Sequence, residues 1–471
     1  MDPHNNFIHG RRKMKNISGL LTTLLLLAAP VFAADRPAYN CDFQPSCEVA
    51  PGVYGAESSP VTSKFNLSIG GFARLDYAYN SYDNGNWGAI SPSGSIPATG
   101  TLAQHGDQSI LTARQSRIWL KSTGPTLLGA KTGALIEADF YGDPGAPQES
   151  PQFRMRQAYM NMEWPTTQIL IGQAWDTFGP AIADTVDVRN GTPVGTPNQQ
   201  RVPQIRLTRK IPLDAGNALK FLIAVQDPSQ YGNNAQNIQL SGTKSSPISL
   251  TGFTTSGAAV NVAGQINLES KALGVAPGLL GIGMKPLTIG LFGLAGSQKT
   301  ITTLKDAQAN TPVGHEIDVY GYGIYAFVPL LRSADAKCRA MTAALEAQGY
   351  ISAGLNTLGA NAAQLSATST TATAAKGYGF FGQARFYPTQ DLGFTAGYGR
   401  RNALNYAANV AAGGELYNDL AFANINFDLN AAIRLAAEYE HLRTRYNGIP
   451  SGAKGDSGQA NVIRFAATYF F

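Results

Sequence analysis

The sequence predicts an all-β protein, a sixteen-stranded antiparallel transmembrane β-barrel, on three observations. Segments of about ten residues with alternating apolar and polar side chains recur through to the C-terminus. After the N-terminal leader the sequence holds no run of 18 apolar residues, so it offers no membrane-spanning helix. The connections alternate in length, tight turns with long loops rich in Gly, Ser, Thr, Asn and Pro. A barrel produces that alternation, whereas a β-sandwich has no reason to.

The fold does not begin at Met1. "MKNISGLLTTLLLLAAPVFAADRP" has a basic start, an apolar run from Leu20 to Ala29, and Val31-Phe32-Ala33 as a small-x-small cleavage site before Ala34. That is a secretory signal peptide, too short to span a bilayer. "MDPHNNFIHGRRK" ahead of it is either a start codon assigned too early or an extended basic region. The expected division is therefore a leader over 1–33, a periplasmic N-terminal extension over 34–64, and the barrel over 65–471.

Sixteen strands are expected, each bounded by turn chemistry. They cover 65–80, 110–121, 130–142, 152–164, 167–175, 201–212, 217–227, 258–270, 286–299, 315–329, 348–357, 376–388, 391–401, 416–429, 431–445 and 460–471. The eleventh, "QGYISAGLNT", is needed for an even count. "WPTTQ", "LDAGN", "YPTQDL" and "LNA" are tight turns on one end. Two joins fit that end poorly: 271–285 is long, and "SADAKCRAMTAALEAQ", covering about 333–347, has helical composition.

Successive strand side chains point to opposite faces, so parity assigns each residue to lipid or lumen. Leu67, Ile69, Leu75, Tyr77 and Tyr79 share one face, and Arg74 and Asp76 take the other. Ala134, Ile136, Ala138 and Phe140 oppose Glu137 and Asp139. Leu219, Phe221, Ile223 and Val225 oppose Lys220 and Gln226. Ile433, Leu435, Ala437 and Tyr439 oppose Arg434, Glu438 and Glu440. "NVIRFAATYFF" closes the chain with Ile463, Phe465, Ala467, Tyr469 and Phe471 on a wholly apolar face and Arg464 on the mixed one. An unpaired strand edge does not survive in lipid, so this last strand is expected to pair with the first.

Composition excludes several functions. Lys+Arg number 36 and Asp+Glu 31; without Arg11, Arg12, Lys13, Lys15 and Asp2 of the leader, 32 oppose 30. That balance gives no electrostatic case for nucleic acid. Of three cysteines, Cys41 and Cys47 lie six apart, where an oxidising compartment permits a disulfide, and Cys338 is left over. Five histidines and no CxxC give a zinc site little support, and no GxSxG, HExxH or Walker loop supports an enzyme. No cofactor is implied.

The closing phenylalanine, with apolar residues at alternate positions before it, resembles the assembly signal of Gram-negative outer-membrane porins. "ARQSRIWLKS" (113–122) resembles the porin second strand. "FRMRQAYMNMEW" with "ILIGQAWDTFG" resembles the fourth and fifth strands of the DcaP-like porins, including their G-Q-x-W-x-T-F motif. Trp119 and Asp176 depart from it, standing where the family commonly has a small residue and a Ser. The resemblance covers nearly all of the chain after Lys64. It implies a water-filled, trimeric barrel in the outer membrane whose third long loop folds inward, here "DTFGPAIADTVDVRNGTPVGTPNQQR" (176–201).

A porin selects by size and by the field across its constriction. Arg117 resembles a basic-wall arginine of general porins, since Ile118 and Leu120 claim the lipid face. Arg74 and Arg206 share lumen parity, while the parity of Arg154 and Arg156 can be read either way. An arginine facing lipid near the midplane costs roughly 2–4 kcal/mol, so all belong in the lumen or at a rim. Asp184 and Asp187 on the loop, with Glu137 and Asp139 on the wall, form the expected acidic side; Tyr469 and Phe471 mark closure and assembly. The bland alternative for each charge is a solvated surface position. Arginine's planar fork suits carboxylates, so small organic anions are the expected solutes. The small-residue stretch "LTIGLFGLAG" (287–296) suits a protomer–protomer wall and hence a homotrimer in outer-membrane lipid. The rival reading is a structural or adhesive barrel with an occluded lumen.

Overall fold

The computed structural model describes residues 54–58, 66–83, 96–142, 151–188, 195–197, 201–227, 260–303, 312–355, 363–365, 372–374, 376–404 and 412–471; the leader, Cys41 and Cys47 lie outside these. Sixteen antiparallel strands close on themselves. They are β1 (Asn66–Asn80), β2 (Gln108–Thr112 continuing as Arg117–Thr123), β3 (Lys131–Asp139) and β4 (Arg154–Glu163). β5 (Thr167–Trp175), β6 (Arg201–Pro212), β7 (Asn217–Gln226) and β8 (Asn261–Pro277) follow. Then come β9 (Met284–Thr303), β10 (Pro312–Leu331), β11 (Thr342–Ala353) and β12 (Lys376–Tyr387). The last four are β13 (Leu392–Ala403), β14 (Glu415–Asp428), β15 (Ile433–Tyr446) and β16 (Ser457–Phe470). Each strand pairs with its sequence neighbours, and β16 pairs with β1 from Phe72↔Phe470 to Asn80↔Val462. A short strand, Tyr54–Ser58, pairs with the start of β1.

The seam closes through backbone. Gly71 N–H donates to Phe471 O at 3.0 Å, and Phe471 N–H returns a bond to Gly71 O at 3.1 Å. The Phe471 ring lies over Gly71, where an added Cβ would meet its Cζ at 2.7 Å. Tyr469 points outward, half exposed.

The packing is inside out relative to a soluble protein. Ile136 (53% exposed), Leu291 (59%) and Ile324 (64%) belong to a continuous outer apolar surface. The largest fully buried side chains include four arginines, Arg114, Arg385, Arg401 and Arg464. Apolar surface of that extent is stable against lipid, and buried charge is stable when paired across the lumen wall.

Tight turns gather at one end. Asp214 takes the Gly216 and Asn217 N–H groups after β6, and Asn430 takes those of Ala432 and Ile433 after β14. These side-chain acceptors replace the ladder where the chain reverses.

Three expectations change. Residues 342–347 are strand, not helix. Their Ala, Leu, Glu and Gln favour helix as single residues, but β11 pairs with β10 and β12 along its length, and that overrides propensity. Leu345 faces out and Glu346 is buried within. The rest of that segment is a turn in which Asp335 accepts the Lys337 and Cys338 N–H groups. Next, the long join after the eighth strand is mostly strand, since β8 runs on to Pro277. Finally, Cys338 is not left over: it is disulfide-bonded.

Candidate functional site

The inner faces of β2, β3 and β4 carry a paired charge cluster. Parity puts Arg117 inward, where its Nη1 lies 3.4 Å from Glu137. Arg154 grips Asp139 with two bonds, Nε to Oδ1 at 2.9 Å and Nη2 to Oδ2 at 2.7 Å. Arg156 bonds Glu137 through Nε and Asp139 through Nη1, the latter at 2.6 Å. Gln157 adds a bond to Glu137 at 2.9 Å. Arg117 stacks over Phe72 at 5.3 Å and Arg154 over Tyr141 at 5.6 Å.

The ambiguous parity of β4 has a local cause. Glu137 pairs with Gln157 and Ala138 with Met155, so Arg156 is an extra, bulged residue. Met155 and Met160 both face out although their spacing is odd, and Arg154, Arg156 and Gln157 all reach the wall carboxylates. A bulge re-aims side chains in this way.

Arg206 on β6 turns inward between outward Ile205 and Leu207. Its Nε is buried with no hydrogen-bond partner among the described residues. On β1, Arg74 holds Asp76 through Nε at 2.8 Å and Nη2 at 2.6 Å, and the same Nη2 donates to Val186 O at 2.7 Å.

Val186 belongs to the segment that follows β5, and its contacts run around the inner wall. Gln265 on β8 donates to Thr177 O at 2.5 Å. Phe178 packs edge-on against Phe292 (5.3 Å) and Tyr350 (5.8 Å). Gln348 on β11 both donates to and accepts from Ala181, each at 3.1 Å. Gln383 on β12 accepts from Asp184 N at 2.8 Å and donates to Ile182 O at 3.1 Å. Glu438 on β15 accepts from Val186 N at 2.8 Å. Backbone groups that would be orphaned in a loop are thus met by side chains of the wall.

The two loop carboxylates do not face the arginines of β2–β6. Asp184 pairs with Arg385 on β12, which also bonds Glu346 at 2.5 Å. Asp187 lies 3.5 Å from Arg464 on β16. Both pairs are buried, so these aspartates fasten the segment to the far wall. Burial raises the Asp184 carboxyl above its ordinary range, while Arg385 opposes the rise. Asp176, at the start of the segment, is pushed up to about 7 by burial, although the Phe178 N–H bonds it at 3.0 Å. Asp187, Glu438 and Glu440 bring carboxylate oxygens within 4.8 Å of one another. The Arg464 guanidinium, 3.3 Å from Glu440, supplies positive charge there.

Reading the sequence missed Arg385, Glu346 and the amides Gln348 and Gln383, and it gave inward-facing Arg464 no partner. The signal was present in "GFFGQARFY", where Gln383 and Arg385 alternate with Ala384 and Phe386.

This fold, a closed sixteen-stranded barrel with tight turns at one end and charged inner walls, is that of the outer-membrane porins. The outer membrane channel DcaP of Acinetobacter baumannii is similar over 88% of this chain and 100% of its own, at 17% identity and a TM-score of 0.61. An anion-selective porin from Comamonas acidovorans aligns over 87% of this chain and 100% of its own, at 11% identity and a TM-score of 0.48. No protein-family model and no curated protein matches the sequence.

Proposed function

We propose that the protein is an outer-membrane porin for small hydrophilic solutes that favours small organic anions. The observation that carries this reading is the inner wall of β2–β6. There Arg117, Arg154 and Arg156 share two carboxylates, Glu137 and Asp139, and Arg206 adds a further inward guanidinium. The surplus guanidinium charge leaves a positive field for a solute carboxylate to meet. The contacts of 176–188 with β8, β11, β12, β15, β16 and β1 support its role as the narrowing loop. The leader read over 1–33 fits export, with the short-turn end toward the periplasm.

A homotrimer fits the outer surface. Gly264 and Gly293 sit side by side on β8 and β9, within an apolar depression of about 610 Å³ edged by Leu207, Ile223 and Ile266. Small residues allow a neighbouring wall to approach closely. A band that runs slowly until boiled is the expected gel result; a monomer band before heating would count against association.

Planar-bilayer recording tests the channel itself. Stepwise current increments are expected. A silent bilayer at high protein loading would instead support an occluded structural barrel.

A further inference from the structure

The connection between β8 and β9 does not turn straight back. Ser270 pairs with Leu287 but the next pair is Val275 with Pro286, so 271–274 bulge out of the ladder. The turn itself is a compact unit over 278–283. Gly278 N–H bonds Gly283 O at 2.9 Å and Ile282 N–H bonds Leu279 O at 2.9 Å. Leu280 (φ 53°), Gly281 (φ 75°) and Gly283 (φ 62°) take left-handed backbone, which costs a leucine free energy.

What holds that conformation lies elsewhere in the barrel. Leu280 N–H donates to Asp184 of the segment after β5 at 3.1 Å. Leu280 O accepts from Arg434 Nη1 on β15 at 3.0 Å. Gly281 packs so closely that a Cβ would come within 2.7 Å of Tyr387 Oη and 2.8 Å of Arg339 Nη1. The seat is itself braced: Asp428 accepts from Arg339 at 2.8 Å and from Arg434 at 2.5 Å. Along the wall, β10 to β14 stand between β9 and β15. A turn joining β8 to β9 therefore reaches Arg434 by crossing the opening those strands enclose. All of the wall partners sit at the short-turn end, and Asp184 links the turn to the segment above it.

We propose that the Gly278–Gly283 turn is a second constriction of the pore, built at its short-turn end and latched by Asp184 and Arg434. It sets the size limit for solutes independently of the arginine wall. The proposal rests on the channel reading, so its test is arranged to fail separately from it. Two variants are compared with the wild type by single-channel conductance and by proteoliposome swelling with uncharged sugars of increasing size. One replaces 278–283 by Asn-Gly, the shortest hairpin turn. The other is Arg434→Met, which removes the donor to Leu280 O and serves if the shortened chain does not fold. The shortened turn should raise the sugar exclusion limit and increase conductance roughly twofold, since flow follows the narrowest section. Arg434→Met should add open–closed flicker. Wild-type currents with both variants indistinguishable from wild type would overturn the second constriction while leaving the channel reading intact. A silent wild type made conductive by shortening the turn would support the constriction.

Discussion

Asp184 and Arg385 form a buried ion pair between residues 201 positions apart, one on the segment after β5 and the other on β12. Asp184 also accepts from Leu280 N–H, and Arg385 also holds Glu346. Two connections and one wall strand therefore meet at a single carboxylate.

The two halves of that pair should differ under substitution. Arg385→Ala strands buried Asp184 without its cation, while Glu346 keeps Lys285 at 3.5 Å, and breaking a buried pair this way costs about 3–5 kcal/mol. Asp184→Asn leaves Arg385 paired with Glu346 and should cost less. Thermal unfolding of both variants in detergent checks the order; equal or inverted losses would show that the pair does not anchor the segment.

Asp176 predicts a pH dependence. Its carboxyl is raised by burial to about 7 from an ordinary 3.8, so the native state keeps a proton that the unfolded chain has released. Stability from this group is therefore full below the unfolded value and falls as pH rises through the folded one. The anchored segment should loosen between about pH 6 and pH 8, seen as increased current noise, and Asp176→Asn should remove that change. Noise that rises equally in the variant would assign it to another group.

The seam gives a third test. Deleting Phe471 removes two ladder bonds, each contributing about 1 kcal/mol, and the ring over Gly71. The fraction of heat-modifiable barrel recovered from membranes should drop. Unchanged recovery would mean that closure and assembly do not depend on the last residue.

How far the sequence could be read follows from these same residues. Alternation placed Arg74, Arg117 and Arg206 inward, because strand parity is local. It could not place Arg154 and Arg156, because the bulge at Arg156 breaks parity through a pairing with β3. It misread 342–347 as helical, because single-residue propensity was weighed without the ladders to β10 and β12. It put Asp184 and Asp187 on the segment after β5, and parity turns Arg385 and Arg464 inward, but that these arginines meet the two aspartates depends on barrel closure, which no local pattern carries.

The reversal potential across a salt gradient tests the central claim most directly, with wild type, Arg117→Ala and Arg206→Ala compared in the same bilayer. The wild type should favour anions. Each variant should lose part of that preference, Arg206→Ala the more, since Arg117 is already opposed by Glu137 at 3.4 Å while Arg206 has no ion-pair partner among the described residues. Cation preference in the wild type, or a potential unchanged in both variants, would contradict an arginine-lined, anion-favouring pore.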